Sequence, residues 1–269
     1  MVEIFQNIRK IYDFVKPCAE LAEHIEFFAE SSIERTRKYF FNEKFTVKMF
    51  ASWTPTFYIN LGAPYHINLE HQRYLVKADE DILILRNSVV ERYNQPTDNI
   101  FTVKFYPGGL EAILGMSQLK IVDQLINLRH FLPGLLLDAM KQPISFKERI
   151  ELMQNFLLNA YQKKIGKDYY LMMVNNSIGE FQATGMQLNT SAVAERLFVT
   201  SKTINRYFHR VVGISLKSYF CILRARTALS AFVGNQGQFV PTNYGYYDMS
   251  HFYKEVVRFT GRKLTDHNF

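Results

Sequence analysis

Cysteine is nearly missing from this chain of 269 residues: Cys18 and Cys221 are its two, far apart in sequence. That excludes a disulfide framework and a cysteine-rich zinc site, and it points to a reducing, cytoplasmic setting. No apolar run approaches the ~18 residues that read as a membrane span, so no membrane partner is expected. Residues 1–16 scatter Glu3, Arg9, Lys10 and Asp13 among apolar side chains and lack the continuous apolar centre of a signal peptide. Catalytic groupings are missing too. No Ser-His-Asp or Cys-His set can be assembled. The glycines of "YPGGLEA" lack the spacing and the lysine of a phosphate loop and read as a turn into a helix. His66 and His71, with Glu70 beside them, stand five residues apart, on opposite faces of an extended strand, so they read as surface or core histidines. Neither an enzyme, nor a metal, nor a cofactor is expected.

Acidic residues are scarce in the last third. Residues 1–165 carry 20 Lys+Arg against 19 Asp+Glu, whereas residues 166–269 carry 12 against 6. From 186 to 233 there are seven cations (Arg196, Lys202, Arg206, Arg210, Lys217, Arg224, Arg226) against Glu195 alone. Positive charge concentrated in one region suggests a polyanion partner for that region.

What is present there is one unit used twice. Shifted by 48 residues, "TSKTINRYFHRVVGISL" (200–216) falls on "DMSHFYKEVVRFTGRKL" (248–264). Thr200 meets Asp248 where a helix N-cap belongs. Ile204, Phe208 and Val211 meet Phe252, Val256 and Phe259, an i, i+4, i+7 apolar face. Arg206 meets Lys254, Arg210 meets Arg258, and Gly213 meets Gly261, where a helix commonly stops. Before the first copy, "NTSAVAERLFV" supplies a short helix whose small Ala194 lets a second helix cross closely. Helix, tight turn and second helix with an exposed polar face make a helix-turn-helix. Residues 215–233 read as one long helix, its apolar side formed by Leu216, Tyr219, Phe220, Leu223, Thr227 and Ala231. It is a spacer of roughly 25 Å, able to hold two recognition helices near one DNA turn apart, about 34 Å.

Residues from about 169 to 269 resemble the DNA-binding domain of the AraC/XylS family of bacterial transcription regulators. The stretches that carry the resemblance are "AERLFVTSKTINRYFHRVVGISLKSYFCILRARTAL" and "GYYDMSHFYKEVVRFTG", the latter with the family's G-[FY]-x-D-x-S-H-F…F…G signature. The resemblance implies an all-α domain of two helix-turn-helix units joined by a long helix, with double-stranded DNA as partner. Lys202, Asn205 and Arg206 are expected in the major groove with Thr203 and Arg210 near phosphates. Ser250, His251, Tyr253, Lys254 and Arg258 form the second DNA-facing set. The second unit departs from the family pattern: "GQFVPTNYG" puts Pro241 where a small alanine belongs, and Val256 stands where phenylalanine is usual. Proline inside a helix costs about 3 kcal/mol or more, so the helix between 238 and 244 is expected broken or shortened. The Ser250–Arg258 helix would then be held by Phe252, Phe259 and the end of the linker helix.

The first half, residues 1–165, resembles more weakly the sensor-type domain of such regulators, on "WTPTFYINLGAPYHI" and "FTVKFYPGGLEAILGMSQLKIVDQLINL". Short strands are expected over 44–50, 57–61, 73–76, 81–85 and 100–105, and helices over 109–116, 120–126 and 145–164. The whole is therefore an α+β chain: a β-rich, barrel-like sensor or dimerisation domain with helices, then a DNA-binding domain over 166–269. Trp53, Phe57, Tyr58 and Tyr65 are candidates to line a pocket for a small-molecule effector; their alternative is plain barrel core. The 146–164 helix, with Ile150, Met153, Phe156, Leu157 and Tyr161 along one face, either packs on the barrel or pairs two copies, and the resemblance favours a homodimer. A small-molecule-binding protein or enzyme with a structural basic C-terminal part is the competing reading.

Overall fold

The computed structural model describes residues 8–69, 72–164, 168–261 and 263–264. The His71 and Glu70 reading and the boundary at 165/166 lie outside them. In chain order the first half holds α1 (Ile8–Ile11), β1 (Tyr12–Val15), β2 (Ile25–Ser31), α2 (Ile33–Tyr39), β3 (Phe45–Met49), β4 (Pro55–Asn60), β5 (Tyr65–Leu69), β6 (Gln72–Val76), β7 (Ile82–Leu85), β8 (Val90–Asn94) and β9 (Ile100–Phe105). It continues with α3 (Gly109–Leu114), β10 (Leu125–Asn127), α4 (Gly134–Met140) and α5 (Phe146–Lys163). The second half is helical: α6 (Tyr169–Ala183), α7 (Thr190–Arg196), α8 (Ser201–Val211), α9 (Leu216–Gly234) and α10 (Met249–Thr260).

The strands form two antiparallel sheets, ordered β1-β2-β9-β4-β7-β10 and β3-β8-β5-β6. Successive strand residues face opposite ways, so each sheet's sequence records what covers it. In the four-stranded sheet Phe45, Val47 and Met49 are buried and Thr46 and Lys48 are not, the alternation of a sheet with one wet face. The six-stranded sheet is covered on both faces along its inner strands β2, β9, β4 and β7, and β7 reads as the continuous apolar run ILIL. Phe27, Tyr58, Ile82, Ile84 and Ile100 point between the sheets, into the barrel-like interior. Their neighbours Phe28, Phe57, Leu83, Phe101 and Val103 point the other way, onto α3, α4 and α5 through Leu110, Leu137, Met153 and Leu157.

Two sequence expectations change here. Residues 120–126 do not make a helix: Gln118–Ile121 is a single 3-10 turn, and the chain then enters β10. Asp123, at φ 55°, turns the backbone between them. The apolar face of α5 is consumed inside the chain. Ile150, Met153 and Leu157 are buried under the six-stranded sheet, with Phe156 and Tyr161 packed beside them, so the packing alternative holds for that face. Ser145 caps α5 with a reciprocal Ser145–Glu148 capping box.

The halves meet along a seam. Glu26 on β2 accepts from Arg226 on α9, with Oε1–Nη2 2.6 Å and Oε2–Nη1 3.2 Å, and Lys104 Nζ lies 3.7 Å from the same carboxylate; all three are buried. Gln118 bridges as well, accepting from Gly108 N (2.9 Å) and donating to the Val212 carbonyl (2.9 Å). Gly213 sits at φ 98°, and a Cβ there would come within 2.9 Å of Leu119 and 3.2 Å of Trp53, so this position requires glycine twice over.

Candidate nucleic-acid interface

The first helix-turn-helix forms where the spacing predicts it. Asn189 caps α7 by accepting from Ala192 N (2.9 Å), and Thr200 caps α8 by accepting from Thr203 N (3.1 Å). Between them Phe198, at φ 55°, makes the turn. Val193 and Ala194 are buried under α8, and the Val199 N–H donates to the Ala194 carbonyl (3.0 Å). On α8, Ile204, Tyr207, Phe208 and Val211 are buried. Lys202, Arg206 and Arg210 are exposed on the opposite side.

Two of these cations are pre-positioned. The Arg210 guanidinium stacks over the Tyr170 ring at 4.0 Å, and Tyr170 in turn meets Tyr207 edge-on at 4.9 Å. Arg206 lies over Tyr207 at 5.5 Å. Thr203 is half-buried, its hydroxyl 2.9 Å from that of Thr200. Asn205 is half-buried, and its Oδ1 accepts from Leu216 N (3.2 Å), one of the unsatisfied donors at the start of α9. This bond joins α8 to α9.

The linker helix runs 19 residues, about 28 Å at 1.5 Å each. Burial extends beyond the expected stripe: Ile222, Ala225, Arg226, Ala228 and Leu229 are buried, while Thr227 and Ala231 are only half-buried. The reason is that α9 is covered on several sides, by the first unit, by α10 and by β2 through Glu26.

In the second unit the helix expected to be damaged by Pro241 is absent as a helix. Gln236–Gln238 and Pro241–Tyr244 are two 3-10 turns, with Pro241 opening the second, where its missing N–H does no harm. Gly245 follows at φ 74°, packed so that a Cβ would meet the Met186 carbonyl at 2.7 Å. Asp248 then caps α10 by accepting from His251 N (2.7 Å), and Gly261 ends it at φ 65°. Phe252 and Val256 are fully buried, with Phe252 against Phe232, Phe239 and Tyr246.

The main polar brace of α10 was not expected. Glu255 is buried and accepts from Arg224 (2.9 and 3.1 Å) and from Tyr246 Oη (2.6 Å). Burial, and after it the Glu255 carboxylate, raises the Tyr246 phenol well above its ordinary value. Ser250, His251, Tyr253, Lys254 and Arg258 are exposed on the far side of α10, with the Arg258 guanidinium 5.3 Å from the Phe259 ring. Three of the seven cations counted between 186 and 233 pair with acids: Arg196 with Glu180 at the surface (3.0 Å), Arg224 with Glu255 and Arg226 with Glu26 in the interior. Among the described residues of α8, α9 and α10, the exposed Lys and Arg side chains without an acid partner are Lys202, Arg206, Arg210, Lys217, Lys254 and Arg258.

The four effector candidates do not share one pocket. Phe57 faces the helices and Tyr58 the barrel interior, because they are adjacent on β4. Tyr65 lies inside the barrel opposite Tyr58, and Trp53 sits at the seam against the helical half. Sequence reading missed Arg86 and Arg92, both buried within the barrel. Arg86 donates to Tyr58 Oη (2.7 Å) and Arg92 to Tyr12 Oη (2.5 Å). The cavity beside them, about 10 Å³, admits no more than a water.

No protein-family model and no curated protein matches the chain. Solved structures do. ToxT from Vibrio cholerae, in an apo variant form, aligns at 10% identity over 84% of this chain and 93% of that one, with a TM-score of 0.50. A second ToxT structure aligns at 12% identity over 83% and 98%, TM-score 0.48. The AraC-like transcriptional activator CuxR aligns at 11% identity over 84% and 88%, TM-score 0.33. The chain is thus similar in fold to ToxT, an α+β arrangement in which antiparallel sheets come first and helices follow.

Proposed function

We propose that this protein is a sequence-specific DNA-binding transcription regulator of the AraC/XylS type, acting in the cytoplasm and without catalytic activity. Residues 166–269 would form its double helix-turn-helix domain and residues 1–165 its sensor domain, with a small-molecule effector as ligand. The carrying observation is the paired placement of α8 and α10. Each buries an apolar face in the helical half, each turns cations outward, and both pack on the rigid α9. Lys202 and Arg206 are the residues for base edges in the first unit; Thr203 and Arg210 suit phosphates. Asn205, held by Leu216, has the weaker claim. On α10, His251, Lys254 and Arg258 suit phosphates, with Ser250 and Tyr253 beside them. A homodimer on DNA would need a surface other than the apolar face of α5. The alternative, a ligand-binding protein or enzyme with a structural basic tail, gives the outward cations nothing to do.

The test is a gel shift with DNA from upstream of the protein's own coding region, at two salt concentrations. Binding that prefers that DNA over random duplex and weakens with salt supports the reading. Equal, salt-insensitive retention of both duplexes refutes it.

A further inference from the structure

Arg210 is the last of the cations that α8 exposes, and it makes no hydrogen bond or ion pair among the described residues. Glu111 on α3 is near enough for its carboxyl to feel the charge, yet no ion pair joins the two. What holds Arg210 is a ring. Tyr170 lies 4.0 Å from its guanidinium, the shortest cation–ring distance among the described residues. Tyr170 belongs to α6, outside the helix-turn-helix. Its own place is fixed twice. Its N–H donates to Asp168 Oδ1, the cap of α6 (2.8 Å), and its ring meets Tyr207 of α8 edge-on at 4.9 Å. Tyr169 completes the group, edge-on to Tyr207 at 5.9 Å.

The second unit has no such ring. Under the 48-residue shift Tyr170 falls on Ser218 and Arg210 on Arg258. Ser218 and Arg258 line one open cleft, so the two positions are neighbours there as well. The ring beside Arg258 is that of Phe259, next to it in sequence, at 5.3 Å. A guanidinium that stacks by its face keeps its in-plane N–H donors for phosphate oxygens. A long side chain already held in place loses less rotamer freedom on binding. We propose that Tyr170 is a positioning residue for DNA: its ring holds Arg210 ready for a backbone phosphate, so the first unit grips the duplex with a pre-set arginine and the second does not. The role rests on the DNA-binding reading and adds α6 to the elements that serve it.

Variants of the full chain test it: Tyr170→Phe, which keeps the ring, Tyr170→Leu, which removes it, Arg210→Ala, and Tyr170→Leu combined with Arg210→Ala. Each is checked for folding by circular dichroism and titrated with preferred and random duplex. Tyr170→Leu should weaken both duplexes alike by about two- to fivefold, as loss of an exposed cation–ring contact does, and Tyr170→Phe should bind like the parent. Once Arg210 is alanine, Tyr170→Leu should cost nothing more. Parent-like binding by Tyr170→Leu, an equal loss in Tyr170→Phe, or a full further loss in the double variant overturns the role. The stack is also read without DNA. The ring current of Tyr170 should shift the Arg210 side-chain protons upfield in the parent and in Tyr170→Phe, and Tyr170→Leu should abolish the shift; its absence from the parent overturns the role whether or not Tyr170→Leu folds. A parent that binds neither duplex overturns the DNA-binding reading and the role with it, whereas equal binding by parent and Tyr170→Leu overturns the role alone.

Discussion

Glu26 and Arg226 stand 200 residues apart and share two hydrogen bonds, at 2.6 and 3.2 Å, in a buried seam between sheet and linker helix. Burial opposes ionisation of Glu26, yet Arg226 and then Lys104 hold its carboxyl below the usual carboxylate range. Glu26→Gln removes the carboxylate that Arg226 and Lys104 share. It should destabilise the chain by about 3–5 kcal/mol, the usual cost of breaking such a pair from one side. Glu26→Gln with Arg226→Met should cost less than the single change. Because the folded pKa is depressed, this contribution is present above about pH 4.3 and is lost as pH falls through the lower folded value. Urea melts of the two variants check this; a double variant that loses as much as Glu26→Gln, or more, would mean that removing the cation relieves nothing.

Asp98 has the opposite sign. Burial pushes its carboxyl up to about 6, with Arg92 pulling against that. A raised folded pKa favours the protonated form, so its contribution is full below about pH 3.9 and is lost as pH rises through 6. Asp98→Asn keeps an acceptor for Asn94 and removes the titration. Relative to that variant, the parent should lose on the order of 1–3 kcal/mol between pH 4 and 6. A stability difference that stays level across that window counts against the assignment.

How much of this was legible in the sequence depends on where partners lie. The helices α8 and α10, their caps Thr200 and Asp248, and the break at Pro241 are local features, and local spacing reveals them. β3, β4, β6, β7 and β9 were legible because Phe, Tyr, Val and Ile gather between turn residues. β2 was not: IEFFAES has no alternation, since both its faces are buried and two of its members are glutamates with distant partners. β8, VERYN, hides its alternation behind charge. The count of outward cations failed for the same reason as β2. Arg196, Arg224 and Arg226 find acids 16, 31 and 200 residues away, beyond any window of sequence. The Asn205–Leu216 bond stayed hidden because nothing nearby in sequence announces that Leu216 N needs an acceptor.

Arg206 and Lys254 occupy matching places in the repeat but different surroundings. Arg206→Ala should weaken binding to the preferred duplex by about 1–3 kcal/mol and relax the preference, as loss of a bidentate guanine contact does. Lys254→Ala should weaken all duplexes alike and reduce the salt slope by about one unit. Both side chains are exposed, so folding should survive. Competition gel shifts with preferred and random DNA distinguish the two; a change of preference in Lys254→Ala would make α10 a base reader as well.

The last expectation concerns what holds α10 in place when the turn before it is only a 3-10 turn. Pro241 opens that turn and donates no backbone hydrogen bond, so Pro241→Ala breaks none, and its effect should stay below about 1 kcal/mol. Glu255 does more, because it ties Arg224 on the linker and Tyr246 beyond the turn to the middle of α10. Glu255→Gln keeps the shape but weakens both bonds, leaving Arg224 half-buried with a neutral partner. A loss of about 1–3 kcal/mol is expected. Hydrogen exchange should quicken in Met249–Thr260 while Ser201–Val211 keeps its protection, because the first unit is braced separately by Val193, Ala194 and Phe220. DNA binding by Glu255→Gln should then resemble that of Lys254→Ala, with a flatter salt slope and an intact preference. Should Pro241→Ala instead stabilise the chain strongly and gain helix over residues 238–244, proline itself, and not the missing first helix, would be what limits the second unit.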